Sequence, residues 1–219
     1  MAAETSRPVS LSPAEALANS LSRHGFVEPG SSIPTIAADI VGLHNTSPVG
    51  PYLALRARID GFSRDDLDLL MFQKWELARL RAMRTTMFVM PHDLLEIAGG
   101  ATRRLIETLT DRWLHETGME RDEYASLADE VDAALAEGPM TVRELRTELQ
   151  IPAAINLPGV VGRMCDEGRL IGGAPPRSWR SPVRRYHRWR DVLPEVDLNR
   201  HSQTSAMEEL VRRYVDAYG

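Results

Sequence analysis

Two groups of side chains in this 219-residue sequence have the types and spacing to do chemistry. The first is a run of arginine. Between Arg163 and Arg190 stand eight arginines (163, 169, 177, 180, 184, 185, 188 and 190) against Asp166 and Glu167. That is a local charge of +6 in a chain of net charge −5, so the remainder carries −11. A basic block inside an acidic protein is an electrostatic footprint whose usual partner is a polyanion. The plain alternative is a solvated arginine-rich loop. The second group is His44-Asn45-Thr46. In an extended segment the i and i+2 side chains share a face, and a ring nitrogen beside a hydroxyl can hold a water or another polar ligand. The plain alternative is a histidine satisfying free carbonyls at a helix C-terminus, with Thr46-Ser47-Pro48 as turn and cap.

Much other chemistry finds no support. Cys165 is the one cysteine, which excludes an internal disulfide and a cysteine zinc site. The six histidines are scattered with no metal-binding spacing, and no phosphate-cradling glycine loop, dinucleotide fingerprint or nucleophile elbow occurs. No metal and no cofactor are expected. With 43% hydrophobic and 26% charged residues the chain is a folding one. It has no apolar run long enough for a membrane span and no secretory leader, so a cytoplasmic, nucleoid-associated place is expected. Of the basic residues only Lys74 is not arginine, a bias of the kind a GC-rich genome produces; any phosphate contact would come from a planar, bidentate donor.

The elements around these residues repeat one plan. Residues 1–10 read as a disordered lead. Ser12-Pro13-Ala14-Glu15 is a capping box with proline at the first helical position, opening a helix to about Arg23. An apolar stripe over Ile33–Leu43 predicts a helix, broken by HNTSPVGP. A short helix follows over PYLALRARI, and Ser63-x-x-Asp66 caps another to about Trp75. LARLRAM and TTMFVM predict two strands meeting near Arg84, with Arg79, Arg81 and Met83 on one face. Residues 92–117 read as helix and 118–125 as linker. The plan then recurs: helix Leu127–Ala136, a capping box at Thr141-x-x-Glu144, a helix near Leu157–Glu167, and strands RLIGG and RSWRSPVRRYHRW. Ser205–Tyr218 is a last amphipathic helix, with Met207, Leu210, Val211, Tyr214 and Val215 on its apolar side and nothing left to pack against; the chain looks truncated.

The expected class is therefore mainly α with short β-hairpins, as tandem winged helix-turn-helix domains. The units span 11–120, 121–192 with a basic wing, and 193–219 as a linker and the first helix of an incomplete third unit. The third helix of the second unit would lie in the major groove of double-stranded DNA, with the arginine hairpin on the flanking backbone.

The stretches IVGLHNTSPVGPYLALRARIDGF (40–62), LRAMRTTMFVMP (80–91), RSWRSPVRRYHRW (177–189) and LVRRYVDAYG (210–219) resemble the AlkZ/YcaQ-type winged-helix DNA glycosylases over about Leu11–Gly219. The resemblance implies tandem winged-helix units followed by a β-barrel, and a repair activity that excises N7-alkylated purines or crosslinked bases from duplex DNA. The family signature Gln-x-Gln or Gln-x-Asp falls here on His44-Asn45-Thr46, and Phe88 stands where the family places a hairpin histidine, ahead of Pro91. The sequence thus looks like a His-x-Thr branch. By this resemblance His44 and Thr46 are the catalytic candidates. Arg56, Arg58 and Arg84 near the same cleft, with Arg163, Arg177, Arg180, Arg184, Arg185 and Arg188, are the DNA-binding candidates. For the first three, surface pairing with Asp60, Asp65 or Asp66 is the alternative. Met83, Met87, Phe88 and Met90 read as hairpin core rather than pocket, Trp179 and Trp189 as packing rather than base-stacking residues, and Cys165 as buried and inert. The two departures keep a non-catalytic DNA-binding module or transcriptional regulator as the alternative function, with a protein-interaction surface as a third. The oligomeric state is left open.

Overall fold

The computed structural model describes residues 11–26, 32–175, 181 and 183–218, and it is mainly helical with two small antiparallel sheets. The disordered lead expected over residues 1–10 lies outside the described residues. Helix α1 (Pro13–Arg23) starts from the Ser12–Glu15 capping box, and α2 (Ile33–Asp39) from Ser32, whose hydroxyl accepts from the Thr35 amide. The predicted continuation of α2 to Leu43 does not occur. Val41 and Gly42 take positive φ, and a Cβ at Gly42 would come within 2.9 Å of Met90. The chain therefore turns there into strand β1 (Leu43–His44). The stripe over 40–43 reflected burial in a turn and a strand, and not helical period.

Helices α3 (Gly50–Arg56) and α4 (Arg64–Phe72) follow, the second capped by Ser63 and Asp66. Strands β2 (Leu77–Arg81) and β3 (Met87–Pro91) form the predicted hairpin around a 3-10 turn at Met83–Thr85. The sheet order is β1-β3-β2, with His44 opposite Phe88 and Arg79 opposite Val89. Helix α5 (His92–Thr117) spans its predicted residues and stops at Gly118, whose φ of +68° suits a glycine cap.

The expected linker over 118–125 shrinks to three residues, because α6 (Arg121–Ala134) begins with an acidic turn, Asp122 and Glu123, ahead of its first buried residue, Tyr124. Then come α7 (Val142–Glu148), capped by the Thr141–Glu144 box, and α8 (Leu157–Asp166), capped by Asn156. Strand β4 (Leu170–Gly172) pairs with β5 (Tyr186–Arg188), and Met140 bridges to Tyr186 on the other side of β5. Helix–helix–helix–hairpin thus occurs twice, with β1 beside β3 in the first occurrence and the single bridging residue Met140 beside β5 in the second. A single turn, α9 (Trp189–Val192), leads to α10 (Gln203–Tyr218).

Helix α10 was expected to have nothing to pack against. It lies along α5 instead. Gly100 admits Ala206, since a Cβ there would stand 2.9 Å from the Ala206 Cβ, and Gly99 likewise admits Leu198. Arg213 reaches Asp93 at 2.8 Å, and the Tyr218 hydroxyl donates to the Ile40 carbonyl at 2.9 Å. Leu210 is buried while Met207, Val211, Tyr214 and Val215 stay exposed. The partner surface lies a hundred residues upstream in the chain, so no local pattern announced it. Among the described residues, no helix is long and apolar enough to cross a membrane, and no group of three or more His, Cys, Asp and Glu could hold a metal ion.

The two repeats are joined by charge and by close packing. Arg81 Nε of β2 donates to Asp166 Oδ1 of α8 at 2.8 Å, and Arg163 Nη2 lies 2.6 Å from Oδ2. The Asp166 side chain is 2% exposed. A Cβ at Gly159 would meet the Trp113 ring of α5 at 2.6 Å, so α8 rests directly on α5. Removing a buried carboxylate strands the cations left behind at a cost of about 3 kcal/mol. Asp166→Ala should therefore lower unfolding stability by about that amount, with a larger loss than Asp129→Ala at an exposed ion pair, in parallel urea titrations.

Candidate functional site

A cleft of about 450 Å³ opens between the loop after β1, the distal end of the β2–β3 hairpin and the α8–β4–β5 face of the second repeat. Asn45 and Thr46 line one side of it, Arg79 and Arg81 the hairpin side, Arg184 and Tyr186 the other. The loop is pinned where it enters: the Asn45 amide donates to the Met87 carbonyl at 2.8 Å. At its far end Gly50 passes so close to the His44 carbonyl that a Cβ would sit 2.8 Å from it.

The predicted pairing of His44 and Thr46 is present. His44 Nε2 and Thr46 Oγ1 are 3.1 Å apart, both residues are exposed, and β1 ends in the extended backbone the spacing required. Thr46 reaches the cleft wall, whereas His44 stands at its rim and is not part of the lining. Phe88 faces His44 across the β1–β3 pairing, with ring centroids 5.3 Å apart and the planes at 82°. This edge-to-face contact fixes the imidazole on one side and leaves Nε2 to Thr46. Phe88 and Met90 are buried and Met83 packs on the same core, as hairpin residues; Met87 is half-buried at the cleft.

The arginine candidates divide sharply. Arg163 is 15% exposed and held by Asp166. Arg185 is tied to Glu144 at 2.7 Å and to the Pro139 carbonyl, and Arg188 grips Asp191 with two bonds of 2.6 and 3.0 Å. Arg169 pairs with Asp129 and Arg190 with Asp132. Acids from outside the basic block thus neutralise much of its +6. Arg58 points away from the cleft: it donates to the His24 and Ala54 carbonyls at 2.7 Å and lies over the Phe26 ring, binding the end of α1 to α3. Arg56 is exposed, with one long bond to the Phe62 carbonyl. Arg84 is exposed at the hairpin tip in the left-handed region, φ 52°. Arg177, Arg180 and Trp179 lie outside the described residues. Trp189 is buried, its indole donating to the Val196 carbonyl, as packing predicts.

Helix α8, the helix expected in the major groove, packs against Trp113 and Arg81, and its one arginine is bound to Asp166. Its equivalent in the first repeat, α4, carries Asp65, Asp66 and Asp68 against the single Arg64, which pairs with Asp65 and Asp68.

Sequence reading did not single out Arg79, Arg81, Asp166 and Tyr186 as cleft residues. The period-two alternation of LARLR was the available signal, since it puts both arginines on one face. Arg79 Nη2 donates to the Gly172 carbonyl at 2.6 Å. Burial pushes its pKa down to about 10, with the neighbouring Arg184 as the next cause. Tyr52 donates to Asp68 at 2.6 Å beside the same wall. Burial, and then the Asp166 carboxylate, push the Cys165 thiol up to about 12.

A family model, DNA glycosylase AlkZ-like, matches residues 37–219. The chain belongs to the AlkZ-like family. The structure is similar to the Streptomyces sahachiroi DNA glycosylase AlkZ with a TM-score of 0.75 at 16% identity, over 96% of this chain and 58% of that one, a likeness of fold. The chain thus spans somewhat over half the length of that protein. No curated protein matches the chain.

The Cys165 thiol has a testable pH consequence. A thiol whose folded pKa is raised contributes stability that is whole below its unfolded pKa of about 8.5 and is lost as pH rises through the folded one. Stability should fall between about pH 9 and pH 12, with part of that fall missing in Cys165→Ala; urea midpoints across that range measure it.

Proposed function

We propose that this family member is a pair of tandem winged-helix units that hold damaged duplex DNA across the inter-unit cleft and hydrolyse the N-glycosidic bond of an N7-alkylated purine. The observation that carries this reading is the His44–Thr46 pair at the lip of an arginine-lined cleft. The doubled element order supports the winged-helix description. Family membership supports the reaction type.

An N7-alkylated purine is already cationic, so its departure needs little acid. What it needs is a placed water and a setting that tolerates positive charge on the sugar. The reaction then balances simply. A water held by Thr46 Oγ1 attacks C1′, the C1′–N9 bond breaks with its electron pair going to the base, and the neutral base leaves. The water's proton passes to Thr46 Oγ1 as that hydroxyl gives its own to the bonded His44 Nε2, and from there to solvent. Phe88 holds the ring from behind, and the pinned Asn45 amide keeps the loop extended. Arg84 and the free face of Arg56 are the proposed contacts to flanking phosphates, with Arg177, Arg180 and Arg184 on the second unit.

A specific observation weighs against the transcriptional-regulator alternative. Sequence reading through the major groove needs donors and acceptors on an exposed helix, and α8 packs against Trp113 and Arg81.

The test is release of free base from duplex DNA carrying N7-methylguanine. The wild-type chain should release it, and His44→Ala and Thr46→Ala should be slower, the first by about a hundredfold, the size of a lost proton acceptor. Salt-dependent duplex binding with no release would leave the non-catalytic module standing.

A further inference from the structure

We infer that Arg79 and Arg184 together form a phosphodiester-binding site in the wall of the cleft, gripping the strand beside the damaged nucleotide. The inference rests on the DNA reading above and gives it a specific anchor.

Gly172 is the observation that joins the two residues. A Cβ there would stand 2.9 Å from Arg79 Nη2 and 3.4 Å from Arg184 Cγ, so the two side chains straddle the same glycine. They come from different units, β2 and the segment before β5, and both line the cleft. Arginines so placed normally each find a carboxylate, as Arg169, Arg185, Arg188 and Arg190 of the basic block do. Here, among the described residues, neither has one. Arg79 bonds only a carbonyl and lies over the Phe72 ring at 5.8 Å; Arg184 bonds the Ser181 and Val183 carbonyls. The carboxylates nearby are spent: Asp166 on Arg81 and Arg163, Asp68 on Tyr52 and Arg64. Arg184 Nε is buried with no acceptor among the described residues. A buried guanidinium donor without an acceptor is costly, and each pairs naturally with a phosphate oxygen. A phosphate fits better than a carboxylate because two forks from different directions need several acceptor oxygens. A diester fits because the candidate residue Thr46 lines the same cleft as the two arginines, so a strand held by them would pass beside it.

The experiment uses the whole chain and a duplex with a tetrahydrofuran abasic analogue, in which a single neutral methylphosphonate is walked along the phosphates on each side. Binding is read by fluorescence anisotropy for wild type and Arg184→Gln. Arg184→Gln should bind the unmodified duplex about tenfold more weakly, the scale of one charged hydrogen bond, with the log–log salt slope reduced by about 1. At one position the methylphosphonate should cost the wild type about tenfold and cost the variant almost nothing. In phosphate-free buffer the variant's Tm should be no lower than that of wild type, because a like charge has been removed; this result separates the site from a structural clasp. Equal binding by both proteins, or additive losses at every phosphate, overturns the site while leaving duplex binding intact. Failure of the functional reading looks different: neither protein binds duplex, while inorganic phosphate still raises the wild-type Tm and not the variant's. That result would reassign the pair to free phosphate and overturn the diester.

Discussion

The structure depends on one buried carboxylate. Asp166, at the last turn of α8, receives Arg81 from the first repeat and Arg163 from its own helix. Two cations on one acid leave a net positive charge, and the 2% exposure of the carboxylate means that water screens neither bond much. The arrangement places β2 against α8 and so sets the width of the cleft between the two units. Trp113 of α5 fills the space that Gly159 of α8 leaves, so the same helix is held on a second side.

Charge tells the same story at a larger scale. A count along the chain finds +6 between Arg163 and Arg190. Folding brings Asp129, Asp132, Glu144 and Asp191 to that block. Exposed pairs of this kind contribute little stability, yet they change the field. Arginines bound to acids repel one another less and attract phosphate less. Among the arginines with carbonyl or aromatic partners and no acid, Arg79 and Arg184 line the cleft. Neutralisation elsewhere therefore focuses the potential where the loop of Thr46 also points.

Elements with a local cause were legible in the sequence. Capping boxes at Ser12, Ser63 and Thr141 started helices where their spacing said they would. The alternation of LARLR and MFVMP gave the hairpin, and His44 and Thr46 met as the period of an extended chain requires. Features with a distant cause were not. The turn at Val41–Gly42 answers to Met90, and the docking of α10 answers to Gly99 and Gly100. The fate of each arginine belongs to the same class. Arg58 and Arg185 differ from Arg84 only in which carbonyl or acid the fold delivers to them.

The contact between His44 and Phe88 shows how a site can change its chemistry without changing its frame. In the family pattern an amide stands at the loop position and an imidazole on the hairpin; here the imidazole is on the loop and a hydrocarbon ring opposes it. The β1–β3 register puts the two positions face to face, so one ring rests on the other whichever carries the nitrogen. Moving the imidazole across the pair keeps a hydrogen-bonding ring at the lip of the cleft. On the proposed reading it also exchanges a group that only orients water for one that can take a proton, since a neutral imidazole nitrogen is a base and an amide is not. The hairpin partner, no longer asked to donate, is free to be apolar. Its burial at 8% exposure then anchors the ring it faces. The demand on the loop is correspondingly strict: Thr46 must stay within hydrogen-bond reach of Nε2, and the Asn45 amide bonded to Met87 is what holds it there.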